Sequence, residues 1–76
     1  MPKFPRLSGK DLLTFLQKQG FLIVRVRGSH HAMEKGYLRT VVPVHGNNPL
    51  KIGTLRGVLK DIKMAPDEFV KLWEKF

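Results

Sequence analysis

The stretch Phe21-Leu22-Ile23-Val24-Arg25-Val26-Arg27-Gly28-Ser29-His30-His31-Ala32-Met33-Glu34 decides the fold. It opens as a β-branched run, passes into alternation, breaks at Gly28-Ser29 and resumes, which reads as two strands joined by a two-residue hairpin loop. A glycine at the first central position supplies the positive φ that such a turn needs. If Gly28-Ser29 is the whole loop, Arg27 faces His30, Val26 faces His31, Arg25 faces Ala32 and Val24 faces Met33. Side chains alternate across a strand. Leu22, Val24, Val26, His31 and Met33 therefore share one face, and Arg25, Arg27 and His30 share the other. The first set is apolar and is expected to meet the core. The two adjacent histidines receive different surroundings by parity alone: His30 exposed among arginines, His31 under the sheet.

Working outward, a third strand is expected over Leu38 to Val44, after a turn at Lys35-Gly36. Thr40, Val42 and Val44 can point inward while Arg39, Val41, Pro43 and His45 point outward. A two-residue Lys35-Gly36 turn puts Val41 opposite His30. Upstream, Ser8-Gly9-Lys10-Asp11 has the spacing of a capping box and opens a helix through Gln19. Leu12, Leu13, Phe15 and Leu16 form its apolar stripe, and Gly20 suits its C-terminal stop. Downstream, Gly46-Asn47-Asn48-Pro49 is a loop. Leu55, Val58, Leu59 and Ile62 then recur at the spacing of an amphipathic helix. A last short helix starts at Pro66, with Asp67 and Glu68 in its first turn and Phe69, Leu72, Trp73 and Phe76 on one face.

The order is α-β-β-β-α with an additional short C-terminal helix, an α+β fold. An antiparallel three-stranded sheet with its helices on one face leaves the other face open. That is the layout of double-stranded-RNA-binding domains, although a fold does not fix a function. The open face is expected to gather Arg25, Arg27, Arg39 and His30.

Charge narrows the partners. The 76 residues hold 14 Lys and Arg against 6 Asp and Glu, a formal net charge of +8. The excess is uneven: residues 1–63 hold twelve basic and three acidic side chains, a balance of +9, and residues 64–76 hold two and three, a balance of −1. A domain this basic usually meets a polyanion. Residues 1–76 are expected to form a single domain that buries only about 60% of its unfolded surface, so function belongs on a surface or in a shallow groove. The absence of cysteine removes disulfides and thiolate zinc sites and fits a cytoplasmic setting. No apolar run approaches the roughly 20 residues of a membrane span, and no membrane partner is expected. The segment Met1-Pro2-Lys3-Phe4-Pro5-Arg6 is basic but lacks a signal-peptide core.

Bland readings compete at each histidine. His30 alone could be an exposed hydrogen-bonding residue, His31 a satisfied core residue, and His45 a stabiliser of its Gly-Asn-Asn loop. Adjacent strand residues point to opposite faces, so His30 and His31 cannot chelate one ion, and no metal or other cofactor is expected. Ser29 as an acyl-transfer nucleophile lacks an orienting acid near His30.

At Gly20-Phe21, Gly28-Ser29-His30-His31, Val42-Pro43-Val44-His45 and Gly53-Thr54-Leu55 the chain resembles the HicA (YcfA-like) mRNA interferase family, over roughly residues 8–70. The resemblance implies the fold of a double-stranded-RNA-binding domain. It also implies the toxin of a type II toxin–antitoxin pair, a metal-independent endoribonuclease that cleaves mRNA until a HicB-like antitoxin covers it. The family's catalytic histidine follows Gly-Ser directly, which here is His30. Arg25, Arg27, Ser29, Arg39 and His45 are the expected RNA contacts, with His45 as a possible second acid or base. Two other readings remain: a non-catalytic double-stranded-RNA-binding module, leaning on Lys51, Arg56, Lys60 and Lys63, and a basic protein-interaction adaptor.

Overall fold

A computed structural model describes residues 3–76. The reading of the first residues as free of a signal-peptide core falls partly on Met1 and Pro2, outside the described residues. The elements are α1 (Gly9–Lys18), β1 (Leu22–Arg27), β2 (His30–Lys35), β3 (Leu38–Pro43), α2 (Ile52–Asp61) and α3 (Pro66–Glu74). The α-β-β-β-α order with its extra C-terminal helix is as expected, and the strands form one antiparallel sheet in the order β1-β2-β3. Among the described residues no helix is long and apolar enough to cross a membrane.

Local chemistry explains the element ends. The Ser8 hydroxyl accepts from the Asp11 N–H at 3.1 Å, and the Asp11 carboxylate accepts from the Ser8 N–H at 3.1 Å, so the capping box closes in both directions. Gly20, at φ 100°, takes the left-handed conformation that ends α1, and Phe21 N–H reaches back to the Leu16 carbonyl at 3.0 Å. α2 ends in the same way, with Met64 N–H on the Leu59 carbonyl at 2.9 Å, but the left-handed position is Lys63 at φ 57°.

One buried cluster gathers Leu12, Phe15 and Leu16 of α1, Met33 of β2, Val42 of β3, Leu55, Val58, Leu59 and Ile62 on the α2 stripe, and Phe69 of α3. α3 closes it with aromatic edges: the Phe69 ring lies 5.1 Å from Phe15, and Trp73 lies 5.6 Å from Phe15. The Thr40 hydroxyl, buried at the sheet–helix seam, donates to Asp61 at 2.9 Å.

Two expectations about the sheet are corrected. The second hairpin loop is Gly36-Tyr37 rather than Lys35-Gly36, because Lys35 pairs with Leu38. Gly36, at φ 60°, occupies the first central position just as Gly28 does at φ 59°. Parity survives the two-residue shift, but Pro43 and not Val41 now faces His30, and Arg39 faces Glu34. The second correction lies in β1. A bulge between Ile23 and Arg25 pairs Ile23, instead of Val24, with Met33 and moves Leu22 to the outer side opposite Glu34. Nor does β1 meet the core: all six of its residues are exposed. α1 and α2 bear on β3, so the helix layer is offset and β1 overhangs it.

Candidate functional site

The Gly28-Ser29 turn positions the site. Arg27 pairs with His30 as expected, which sets an arginine and a histidine side by side on the outer face. His30 is exposed at the first position of β2, with its imidazole in reach of a ligand. Arg25 is two residues from Arg27, on the same outer face opposite Ala32. Among the described residues neither Arg25 nor Arg27 has an ion-pair partner.

His31 turns to the inner face opposite Val26, and it is half-buried rather than enclosed because β1 overhangs the helices. Its Nδ1 lies 3.2 Å from the Ser29 carbonyl, which also accepts the Val44 N–H at 2.8 Å. The carbonyl beside the turn is thus held from two sides. Ser29 ties the start of β2 to β3 through its backbone, and the residue is half-buried immediately before His30 in the chain.

The shifted register redistributes the other expected contacts. Arg39 stands four residues along β2 from His30, about 13 Å at strand rise. Its Nε lies 3.4 Å from the Glu34 carboxylate. Arg39 is therefore at the far end of the open face and not beside His30. An exposed pair of this kind contributes only about 0.2–1 kcal/mol, too little to withhold Arg39 from a phosphate. His45 moves the other way. It is exposed one residue past Val44, and its carbonyl accepts the Asn48 N–H at 3.1 Å.

Pro43, the cross-strand neighbour of His30, also walls a hollow of about 380 Å³ that His45, Lys51 and Thr54 line from the other side. The hollow joins the His30 end of the sheet to the start of α2. Among the described residues no side chain caps that helix, and no acidic residue lies in its first turn, so its free N–H groups and Lys51 make a positive end. The sequence places Lys51 among the basic residues of the duplex-RNA reading, and Thr54 only within the Gly53-Thr54-Leu55 resemblance. The sequence signal for Thr54 was its place in Gly53-Thr54-Leu55, of which Leu55 alone is accounted for by the core. Among the described residues, no three His, Cys, Asp or Glu side chains come together as a metal site.

The family model for the HicA toxin of bacterial toxin–antitoxin systems matches residues 9–64, from the first residue of α1 to just past α2. No curated protein and no solved structure gives a significant match. The match spans well over half of the chain and takes in the whole sheet, the Gly28-Ser29 turn and the hollow beside it. The chain belongs to the HicA toxin family.

Proposed function

We propose that this toxin is a metal-independent endoribonuclease that cleaves mRNA with His30 and is silenced by a HicB-like antitoxin laid over the same face. The observation that carries the reading is His30 itself, exposed at a hairpin turn and paired with an arginine, in a chain of this family. Metal-free RNA cleavage needs a base to take the 2′-hydroxyl proton and an acid to protonate the 5′-leaving oxygen. It also needs positive charge on the phosphate while five oxygens surround the phosphorus. Imidazole can carry either proton transfer near neutral pH. Arg27 is placed to meet the phosphate as its negative charge grows, and a guanidinium fork suits that geometry. Arg25, Ser29 and His45 flank the strand path, Lys51 and the open start of α2 receive a neighbouring phosphate, and Arg39 contacts RNA further along. His45 is the second titratable group on that path.

His30→Ala is expected to abolish growth inhibition on induced expression and RNA cleavage in vitro, while thermal melting stays that of the parent. Cleavage by the parent is expected to persist in excess EDTA. Undiminished toxicity of a folded His30→Ala protein sinks the mechanism, and activity that returns only with added divalent ion sinks its metal independence. The non-catalytic double-stranded-RNA-binding reading draws on one observation, the exposed Lys51, Arg56 and Lys60 along α2. It predicts tight binding of duplex RNA without cleavage, so the same assay separates the two.

A further inference from the structure

The two edges of the sheet differ. The β3 edge ends in Pro43, which has no N–H to offer, and the Pro43 carbonyl is closed off by the start of α1 at Gly9. Among the described residues nothing covers β1 in this way, and β1 contains no proline. Its apolar residues Leu22, Ile23, Val24 and Val26 are 70%, 37%, 51% and 56% exposed. Successive strand residues turn their backbone groups to opposite edges. The Ser29 carbonyl bonds Val44 on the β3 side, so His30 bonds Arg27 on the β1 side. The N–H and C=O of Val26 therefore point away from the sheet. The same alternation puts the Arg25 and Arg27 side chains on the outer face of this edge and Val26 on the inner face.

A second copy of this chain is a poor occupant, because β1 against β1 sets arginines against arginines in a molecule of net charge +8. We propose that the free edge of β1 receives an extended segment of a partner protein as a fourth strand, with acidic side chains beside Arg25 and Arg27 and an apolar one beside Val26. The acidic–apolar–acidic alternation follows from the face each β1 residue occupies. Backbone hydrogen bonds to Val26 fix the register, and the side chains select the partner. The inference rests on the toxin reading, in which a partner protein holds the chain silent. It adds that the partner docks through the sheet edge and not only over the open face.

The probe is a synthetic eight-residue peptide alternating Glu and Val, set against its counterpart with Lys for Glu. Amide hydrogen exchange is read by NMR on the full chain. The Glu–Val peptide is expected to slow exchange of the Val26 N–H at least tenfold, and the Lys–Val peptide to leave it unchanged. Val26→Pro removes that N–H at a position the β1–β2 ladder does not use, and should weaken the acidic peptide at least tenfold. Because proline could disturb the strand, Arg25→Glu is the companion variant and should shift preference towards the Lys–Val peptide. Equal binding of both peptides, or an unchanged Val26 amide, overturns the proposal. Protection that grows with protein concentration alone assigns the edge to a second copy, and protection by a single-stranded RNA oligonucleotide but not by the peptide assigns it to RNA. Either outcome also overturns it. None of these readouts uses cleavage, so a failed His30→Ala test removes the ribonuclease and leaves the edge result standing.

Discussion

His30 and His31 are neighbours in sequence and have opposite surroundings, because a strand sends consecutive side chains to opposite faces. The outer one is free to meet a substrate; the inner one approaches the Ser29 carbonyl at 3.2 Å and lies opposite Val26. His31→Ala should therefore act on stability. Loss of one hydrogen bond from a half-buried side chain costs about 0.5–1.5 kcal/mol. The Ser29 carbonyl keeps its bond from Val44 N–H, so the turn that carries His30 stays tied. Urea unfolding followed by Trp73 fluorescence should show the lowered midpoint, and the folded fraction should still cleave RNA. An inactive His31→Ala that melts like the parent would mean the two histidines had exchanged roles. Lys63 is the other informative single residue, the one non-glycine position with positive φ among those described. Its side chain also lies 5.3 Å over the Tyr37 ring, an exposed cation–π contact worth about 0.5–1 kcal/mol. Glycine there would relieve roughly 1 kcal/mol of left-handed strain but forfeit that contact. The two effects are nearly equal, so Lys63→Gly should move the melting temperature very little.

Elements meet at a few narrow places, and the tightest is the start of α1 on the end of β3. A methyl group built at Gly9 would collide with the Pro43 carbonyl, which is backbone and cannot swing away. Gly9→Ala should destabilise by about 1–3 kcal/mol even though alanine is the better helix former. Thermal melting checks this, and an unchanged or raised midpoint would show that α1 can shift on β3 freely. Phe69 is the corresponding test for α3. It is fully buried and contacts the rings of Phe4, Phe15 and Trp73. Phe69→Ala should cost about 3–5 kcal/mol, a large share of the 5–15 kcal/mol typical of a whole domain, so a substantially unfolded circular dichroism spectrum is expected. The capping box, the Gly28-Ser29 turn and the α2 stripe were legible in the sequence because each depends on residues close together in the chain. The β1 bulge was not. Leu22, Ile23 and Val24 are apolar at both parities, so alternation there does not choose a phase. The second turn failed for a related reason: glycine suits either central position of a two-residue loop, and Lys35-Gly36-Tyr37 offers both frames. The site inherited that error, with Arg39 expected too near His30. The exposure of β1 was illegible in principle, since it depends on which strand the helices choose to cover.

Across the whole molecule, charge and structure are divided together. The balance of +9 over residues 1–63 covers α1, the sheet, its turns and α2, while residues 64–76, with their balance of −1, make up α3 and its approach. α3 packs on the helix layer through its aromatic face, so the acidic end of the chain is joined to the helices. Binding to a polyanion should accordingly be directional. Each phosphate neutralised on a single strand contributes a slope of about −0.7 to log affinity against log salt. Four contacts, from Arg25, Arg27, Arg39 and Lys51, would give a slope near −3 on the same basis. Arg27→Ala should flatten that slope by about 0.7 and weaken binding of every RNA sequence alike, because a phosphate contact carries no base information. Lys71→Ala removes the same unit of charge from α3 and should leave the slope unchanged. Equal flattening by the two variants would mean that net charge, and not this face, holds the RNA. Arg27→Glu extends the comparison to the inhibitor. If the antitoxin covers the face that binds RNA, charge reversal there must weaken both partners, and the lost antitoxin affinity should appear first in a slower, less salt-dependent association. An Arg27→Glu protein that loses RNA yet keeps full antitoxin affinity would place the inhibitor elsewhere.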